Sequence, residues 1–266
     1  MKIVTGICYD SNSSFLQGAA AAPATIRKVA QDGASNFFAE NGVEICPGEY
    51  YLDAEDLSIE SLSSEGAYHA IKYHIHQHLD SGNTVLSLGG DHSISYPIID
   101  TYSEFVHGLH LLHLDAHADL YDDFEGNSYS HASPFARIME KGRVDSLTQV
   151  GIRTLTTHQR EQADRFGVSL IEMKNFDTDF LQKLKGPLYL SIDIDVLDPA
   201  FAPGVSHQEA GGMTVRQLLH IIQHLAVPLV GADLVEYNPK QDVNRQTARV
   251  AHKIMKEILA IMASSL

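Results

Sequence analysis

Asp115, His117 and Asp119 follow directly on the apolar run Leu111-Leu112-His113-Leu114, each separated from the next by one alanine. Alternate residues of an extended segment project to the same side. Strand geometry that persists past Leu114 would therefore aim two carboxylates and an imidazole at one spot. The pattern recurs along the chain. Leu188-Tyr189-Leu190-Ser191-Ile192 leads into Asp193, Asp195 and Asp198, Leu229 to Val235 leads into Glu236, and Thr84 to Leu88 leads through Gly89-Gly90-Asp91 to His92. A lone aspartate at a strand end usually caps a turn or a helix. Four or more carboxylates with two imidazoles on one sheet edge are a different matter, because they repel one another unless cations lie between them. An oxygen and nitrogen donor set without thiolate suits Mn²⁺ best, with Fe, Co, Ni or Zn as substitutes. Six candidate ligands are too many for one ion with open positions, so two ions sharing carboxylates account for the surplus. Such a pair brings the pKa of water down towards neutrality, which is hydrolytic chemistry.

That convergence requires strands lying side by side and pointing the same way. Lys2 to Tyr9 reads as a buried first strand, and Ala22-Pro23 opens a helix running to about Gln31. The segment from there to about Leu62 carries no strong period. Ser63 to Leu79 is helical, with Ala67, Ala70, Ile71, Ile75 and Leu79 at helical spacing. Thr84 to Leu88 is a strand, the two glycines after it allow a tight turn, and a helix starts near Ser95. Leu120 to Ser130 is a loop, and helix resumes at about Ser133 with Pro134 near its start. Strands at Val144 to Gly151, Val168 to Ile171, Pro187 to Asp195 and Pro228 to Glu236 then alternate with helices at Thr156 to Arg165, Val215 to Leu225 and Arg245 to Met262, with a short helical piece at Phe180 to Leu184. This alternation predicts an α/β fold with a mostly parallel sheet covered on both faces, whose strand C-termini share one edge. His74 and His78 share a helical face and could clip a metal, but no carboxylate stands at matching spacing and a solvated polar face is the simpler reading. His113 alternates with leucines and reads as a core or supporting histidine.

The 266 residues, 44% of them hydrophobic, suffice for one large domain spanning 1–266, and no Pro/Gly/Ser-rich linker divides them. A formal charge of −15 argues against nucleic acid as a partner. Only Cys8 and Cys46 occur, too few for a disulfide framework. No apolar run reaches the roughly 18–20 residues of a membrane span, and the N-terminal residues lack a signal-peptide core. A soluble, cytoplasmic protein is expected.

Gly89-Gly90-Asp91-His92-Ser93, Asp115-Ala116-His117-Ala118-Asp119 and Ser191-Ile192-Asp193-Ile194-Asp195-Val196-Leu197-Asp198-Pro199 together resemble the three signatures of the ureohydrolases, which include arginases, agmatinases and formiminoglutamases. The resemblance covers nearly the whole chain. Phe124 to Ser133 and Val230 to Pro239 look most like plant-type arginases. It implies a three-layer α/β/α sandwich, arginase-like, and two Mn²⁺ per chain. One ion would be held by His92, Asp115, Asp119 and Asp193, the other by Asp115, His117, Asp193 and Asp195. It also implies that Glu236 pairs with the substrate guanidinium, that His131 shuttles protons, that Asp119 counts among the catalytic groups and that Asn127 contacts substrate. The implied reaction is hydrolysis of L-arginine to urea and ornithine, with agmatine second and formiminoglutamate or guanidinobutyrate after it. A small cationic guanidino substrate and a trimeric or hexameric homo-oligomer follow from the same likeness. Animal and bacterial arginases carry Arg-Asp-x-Asp where this chain has Arg153-Thr154-Leu155-Thr156, and the surroundings of the shuttle histidine are here Tyr129-Ser130-His131-Ala132-Ser133-Pro134. Both departures touch recognition of the α-amino acid end and keep agmatine in play. A related single-zinc deacetylase would need fewer ligands than this chain supplies.

Overall fold

The computed structural model describes residues 1–33 and 35–266. Its strands are β1 (Lys2–Cys8), β2 (Leu52–Asp53), β3 (Leu57–Ser58), β4 (Thr84–Leu88), β5 (His110–Leu114), β6 (Ser146–Ile152), β7 (Ser169–Glu172), β8 (Leu188–Asp193) and β9 (Leu229–Val235). They form one sheet in the order β2-β1-β4-β9-β8-β5-β6-β7, with β3 also on β1, and every pairing is parallel. The central strands β4, β8 and β9 are buried along their whole length. That is why they read as continuous apolar runs rather than as alternating ones.

The helices are α1 (Ala22–Gln31), α2 (Ser64–Asp80), α3 (Ser95–Phe105), α4 (Pro134–Lys141), α5 (Thr157–Phe166), α6 (Val215–Gln223) and α7 (Gln246–Ile261). They divide between the two faces of the sheet. Ile26 and Val29 of α1, Leu218 and Ile222 of α6, and Ile254 and Ile258 of α7 pack with Leu86, Leu112 and Leu190 on one face. Ile71 and Ile75 of α2, Ile98 and Tyr102 of α3, Ile138 of α4 and Ala163 of α5 pack with Val85, Leu111 and Tyr189 on the other. Neighbouring strand residues thus serve opposite cores; the parallel sheet covered on both faces that the alternation predicts, and the three-layer sandwich that the resemblance implies, are present. Helix starts follow local rules: prolines stand in the first turns of α1 and α4, while Thr156 and Thr214 build reciprocal capping boxes with Gln159 and Gln217. Among the described residues no helix is long and apolar enough to cross a membrane.

Two expectations change. The segment that carries no period holds the two-residue strands β2 and β3, which are too short to leave a pattern and exist only through pairing with β1. The short helical piece near Phe180 is present as a 3₁₀ helix at Asp179–Lys183. His74 does not prepare a metal clip: its Nε2 lies 2.9 Å from Thr5 Oγ1, its ring meets that of His78 edge-on, and burial pushes it down to about 4. It is a neutral histidine filling the seam between α2 and β1.

Candidate active site

The strand ends of β4, β9, β8 and β5 are consecutive along one edge of the sheet. After β4 the chain turns at Gly89-Gly90, where a Cβ on Gly90 would stand 1.6 Å from the Tyr9 carbonyl oxygen. Only glycine lets the turn pass that close. The same turn is sewn to its neighbours, Asp91 N–H donating to Tyr9 O (3.0 Å) and Glu236 N–H to Gly90 O (2.9 Å). His92 then starts a buried 3₁₀ turn capped by Asp91. After β8, Asp193 Oδ1 accepts from Asp195 N–H at 2.8 Å and caps another 3₁₀ turn, Ile194–Val196.

β5 behaves differently from the expectation that extended geometry persists past it. The strand ends at Leu114, His117 makes only an isolated bridge to Thr154, and Asp119 takes a left-handed φ of 50°. Asp115, His117 and Asp119 meet because the backbone curls, not because it stays straight. Glu236, just past β9, is also left-handed with φ 62°. Each such non-glycine conformation costs about 1–3 kcal/mol, and it persists here because the surrounding packing fixes two carboxylates towards the same cavity.

The donors converge. His92 Nδ1 lies 3.2 Å from Asp115 Oδ2, 3.0 Å from Asp119 Oδ2 and 3.4 Å from Asp193 Oδ2. His117 Nδ1 lies 3.0 Å from Asp195 Oδ2 and 3.4 Å from Asp115 Oδ1. Two groups of potential metal donors emerge, one around His92, Asp115 and Asp119 and one of Asp115, His117 and Asp195, and Asp115 belongs to both. His113 falls within the first group by distance, yet its ring is already spent. Gln149 Nε2 donates to His113 Nδ1 (2.9 Å), which leaves Nε2–H to donate to Asp115 Oδ2 (2.7 Å). It supports a ligand rather than being one.

Electrostatics strain this cluster. Burial and the neighbouring Asp195 and Asp115 push Asp193 well above the usual carboxylate range, and burial with Asp115 raises Asp195 to about 6. Burial would raise Asp115 too, but His113, His117 and His92 hold it well below its ordinary value. His92 and His117 are drawn well up against burial by the carboxylates facing them. Charges of this density in a buried site call for cations.

One further contact shows that the donors fit them. Asp233 is fully buried and accepts from Tyr189 O–H (2.8 Å) and Ser191 O–H (2.6 Å). With its proton given to Asp233, Ser191 Oγ accepts from His92 Nε2–H at 3.0 Å. His92 Nδ1 has no hydrogen-bond partner, and this relay turns its lone pair towards three carboxylate oxygens, an arrangement that makes sense around a positive ion. Carboxylate-anchored histidines of this kind hold metals in a fixed tautomer. Asp233→Asn is expected to weaken divalent metal binding by about 10–100-fold while circular dichroism stays unchanged; unchanged affinity in a chelator competition would remove the relay from the site.

A cavity of roughly 200 Å³ opens over these groups, lined by His117, Asp119, Asp193, Asp195, Glu236 and His131 together with Ser14, Tyr121, Phe124, Ala132, Thr154, Thr156, Gln159 and His207. Glu236 Oε1 accepts from His92 N–H and from His131 Nδ1–H, both at 2.8 Å, while Oε2 makes no hydrogen bond among the described residues. Burial opposes ionisation of Glu236, but His131 and the His92 N–H outweigh it and keep the carboxylate charged. Burial would lower His131, yet Glu236 and Asp91 draw it up to about 9. Ser14 acts the other way: its backbone N–H, which can only donate, faces His131 Nε2 at 3.1 Å and favours the neutral ring.

Asn127 does not line the cavity. Its side-chain N–H donates to Asn12 Oδ1 (3.2 Å) and its Oδ1 accepts from Tyr129 N–H (3.0 Å). The amide is consumed in holding the loop, which departs from the substrate contact that the resemblance implies. Asn12 is what the sequence left unmarked: it is buried, its N–H donates to Asp91, its amide reaches Ser93, its Oδ1 accepts from Ser64, and its carbonyl accepts from His131 N–H. Ser14, His207, Asp233 and Gln159 were likewise not singled out.

The family model described as "Arginase family" matches residues 2–261. "Arginase 1, mitochondrial" of Arabidopsis thaliana is 45% identical over 96% of this chain and 79% of its own length. "Agmatinase" of Bacillus anthracis is 34% identical over 97% of this chain and 90% of its own. Among solved structures, "Arginase from Medicago truncatula" superposes with a TM-score of 0.93 at 40% identity, covering 98% of this chain and 87% of that one. The paired donor groups, the anchored histidine and the match over nearly the full sequence agree: this chain belongs to the arginase family.

Proposed function

We propose that this protein hydrolyses the guanidino group of L-arginine to urea and L-ornithine at a pair of Mn²⁺ ions, the whole of 1–266 forming one catalytic domain. The observation that carries the reading is a single cavity with His117, Asp119, Asp193 and Asp195 on one wall and the buried, charged Glu236 beside them. His92, Asp115, Asp119 and Asp193 would hold one ion and Asp115, His117, Asp193 and Asp195 the other. When bound, such ions supply Lewis acidity that activates water near neutral pH and offset the carboxylate charge.

The protein's own groups divide the remaining work. Glu236 Oε2, free of protein partners, takes N–H groups of the guanidinium and fixes its plane by charge-assisted hydrogen bonds. A guanidinium seated there competes with His131 for Glu236 and frees the imidazole for proton transfer. His131 Nδ1 gives up or takes a proton towards the reacting nitrogen, and Ser14 at Nε2 keeps the ring in place. Agmatine is the second reading, kept in play by the turn after β6, where Thr154-Leu155-Thr156 replaces the acidic turn of animal and bacterial arginases.

The test is a urea-release panel with Mn²⁺ across L-arginine, agmatine, guanidinobutyrate and formiminoglutamate, with formamide measured for the last. L-Arginine is expected to give the highest kcat/KM. A higher value for agmatine would transfer the assignment to it, and no product from any of the four would end the hydrolase reading. The proposal extends to a trimer or hexamer working in the cytoplasm, without nucleic acid or membrane partners. The Arabidopsis thaliana relative is named as a mitochondrial protein.

A further inference from the structure

The wall of the cavity built where β6 runs into α5 is neutral. Thr154, Thr156 and Gln159 form it, with Tyr121 alongside, and no lysine or arginine lines the cavity anywhere. A substrate group that reaches this wall therefore meets uncharged donors and acceptors rather than an ion pair.

Gln159 has one such donor to spare. In the capping box of α5 its Oε1 accepts from Thr156 N–H at 3.1 Å, and its own N–H donates to Thr156 Oγ1 at 3.3 Å. A backbone N–H cannot accept, so the oxygen of the Gln159 amide must face Thr156 and the nitrogen must face away. That Nε2 makes no hydrogen bond among the described residues, although the residue is only 4% exposed. Gln159 is among the residues that line the cavity. An unpaired buried donor is costly and recovers that cost when a ligand supplies an acceptor. The Thr154 hydroxyl, in the same wall, makes no hydrogen bond among the described residues.

The backbone adds a sign. Gln159 stands in the first turn of α5, a ten-residue helix whose first turn contains no acidic side chain. Its positive end is therefore not offset by a carboxylate, and an anion placed there gains from the helix dipole. A partnerless N–H donor at an uncompensated helix start selects an acceptor that carries negative charge. L-Arginine offers its α-carboxylate at that end; agmatine offers only an ammonium.

We propose that Gln159 Nε2, at the start of α5, binds the α-carboxylate of an amino-acid substrate and is the residue by which this enzyme prefers L-arginine to agmatine; the inference rests on the guanidino-hydrolase reading above.

Gln159→Glu tests it. The substitution keeps the side-chain length and the oxygen that caps Thr156, and a carboxylate in the first turn favours the helix, so the fold is preserved. It replaces the donor with a negative oxygen. KM for L-arginine is expected to rise by about 10–100-fold, the range for losing a hydrogen bond to a charged group, with kcat within about 3-fold, while KM for agmatine holds or falls. Gln159→Met, which removes donor and cap together, should raise KM for L-arginine without improving agmatine. Calorimetry with the products gives a readout independent of turnover: L-ornithine should bind the parent protein more tightly than putrescine, and the preference should vanish in Gln159→Glu. The proposal is overturned if both substrates shift alike, if KM for L-arginine does not move, or if the product preference survives the substitution. Should the parent release no urea from any guanidino compound, the hydrolase reading falls, and the ornithine and putrescine titrations still decide what Gln159 recognises.

Discussion

Asp193→Asn should yield a protein that melts above the parent when both are stripped of metal, yet releases urea at least about 10³-fold more slowly when both are loaded. The two effects have one cause. Asp193 is buried, and Asp195 and Asp115 beside it make its ionised form unfavourable. Asparagine keeps the oxygen that caps Asp195 N–H and removes one like charge from a crowded, water-poor site. Replacing a poorly compensated buried charge is often stabilising, here by on the order of 1 kcal/mol, or roughly 2–4 °C in a domain of this size. With metal the order reverses. Ions that bind only the folded parent raise its melting temperature by mass action, and the variant, one carboxylate short in both of the proposed ligand sets, should gain little. Differential scanning calorimetry with EDTA and with Mn²⁺, beside metal content per chain, checks both halves. A variant less stable without metal, or one that still holds two ions per chain, would mean that Asp193 is a structural aspartate.

The same buried charges explain why so much of the site was legible before any fold was known. A strand covered on both faces is mostly apolar until its C-terminal edge, so Asp115, Asp193 and Glu236 stand out at the residue where Leu114, Ile192 and Val235 stop, whereas the buried His113, Ser191 and Asp233 within the strands do not. The parallel order of the sheet does the rest. What was not legible depends on contacts between distant segments or on backbone curvature. Asn12 and Ser14 lie in what reads as an ordinary Ser/Asn turn, and nothing in their neighbours announces that they reach Asp91 and His131 across the sheet edge. Gln159 sits on a helix that reads as charged and surface-like, although its amide belongs to the cavity wall. The left-handed backbones of Asp119 and Glu236 carry no sequence mark, because neither is glycine or asparagine. β2 and β3 are defined by their partner rather than by their own residues.

His131→Ala should lower kcat by about 10²–10⁴-fold, the range of a positioned acid or base, and leave two ions per chain. The imidazole is poised between opposing influences. Glu236 and Asp91 draw it up to about 9, whereas the Ser14 N–H at Nε2 favours the neutral form. A group held between those limits can both give and take a proton within one cycle. Its removal also leaves Glu236 Oε1 with one partner instead of two, so KM for the guanidino substrate should change far less than kcat, or even fall as competition for Glu236 disappears. Steady-state kinetics beside metal analysis separates the two roles. Turnover within about 3-fold of the parent, against that expected loss, would exclude His131 as the shuttle, and loss of metal would make it a ligand.

The position of β9 has a consequence for how the chain is made. It is the last of this sheet's strands to emerge during synthesis, yet it lies between β4 and β8 at the middle of the sheet. Until Leu229–Val235 inserts, a nascent chain holds two half-sheets, each with an unpaired parallel edge of the kind that invites association with other chains. Asp233 and Glu236 arrive only with that strand, so the anchor of His92 and the carboxylate facing the cavity are both missing beforehand. Closure of the sheet and completion of the site are thus one event. Ribosome-bound or truncated chains that stop short of residue 229 would be both sticky and unable to hold the His92 side of the ion pair in place.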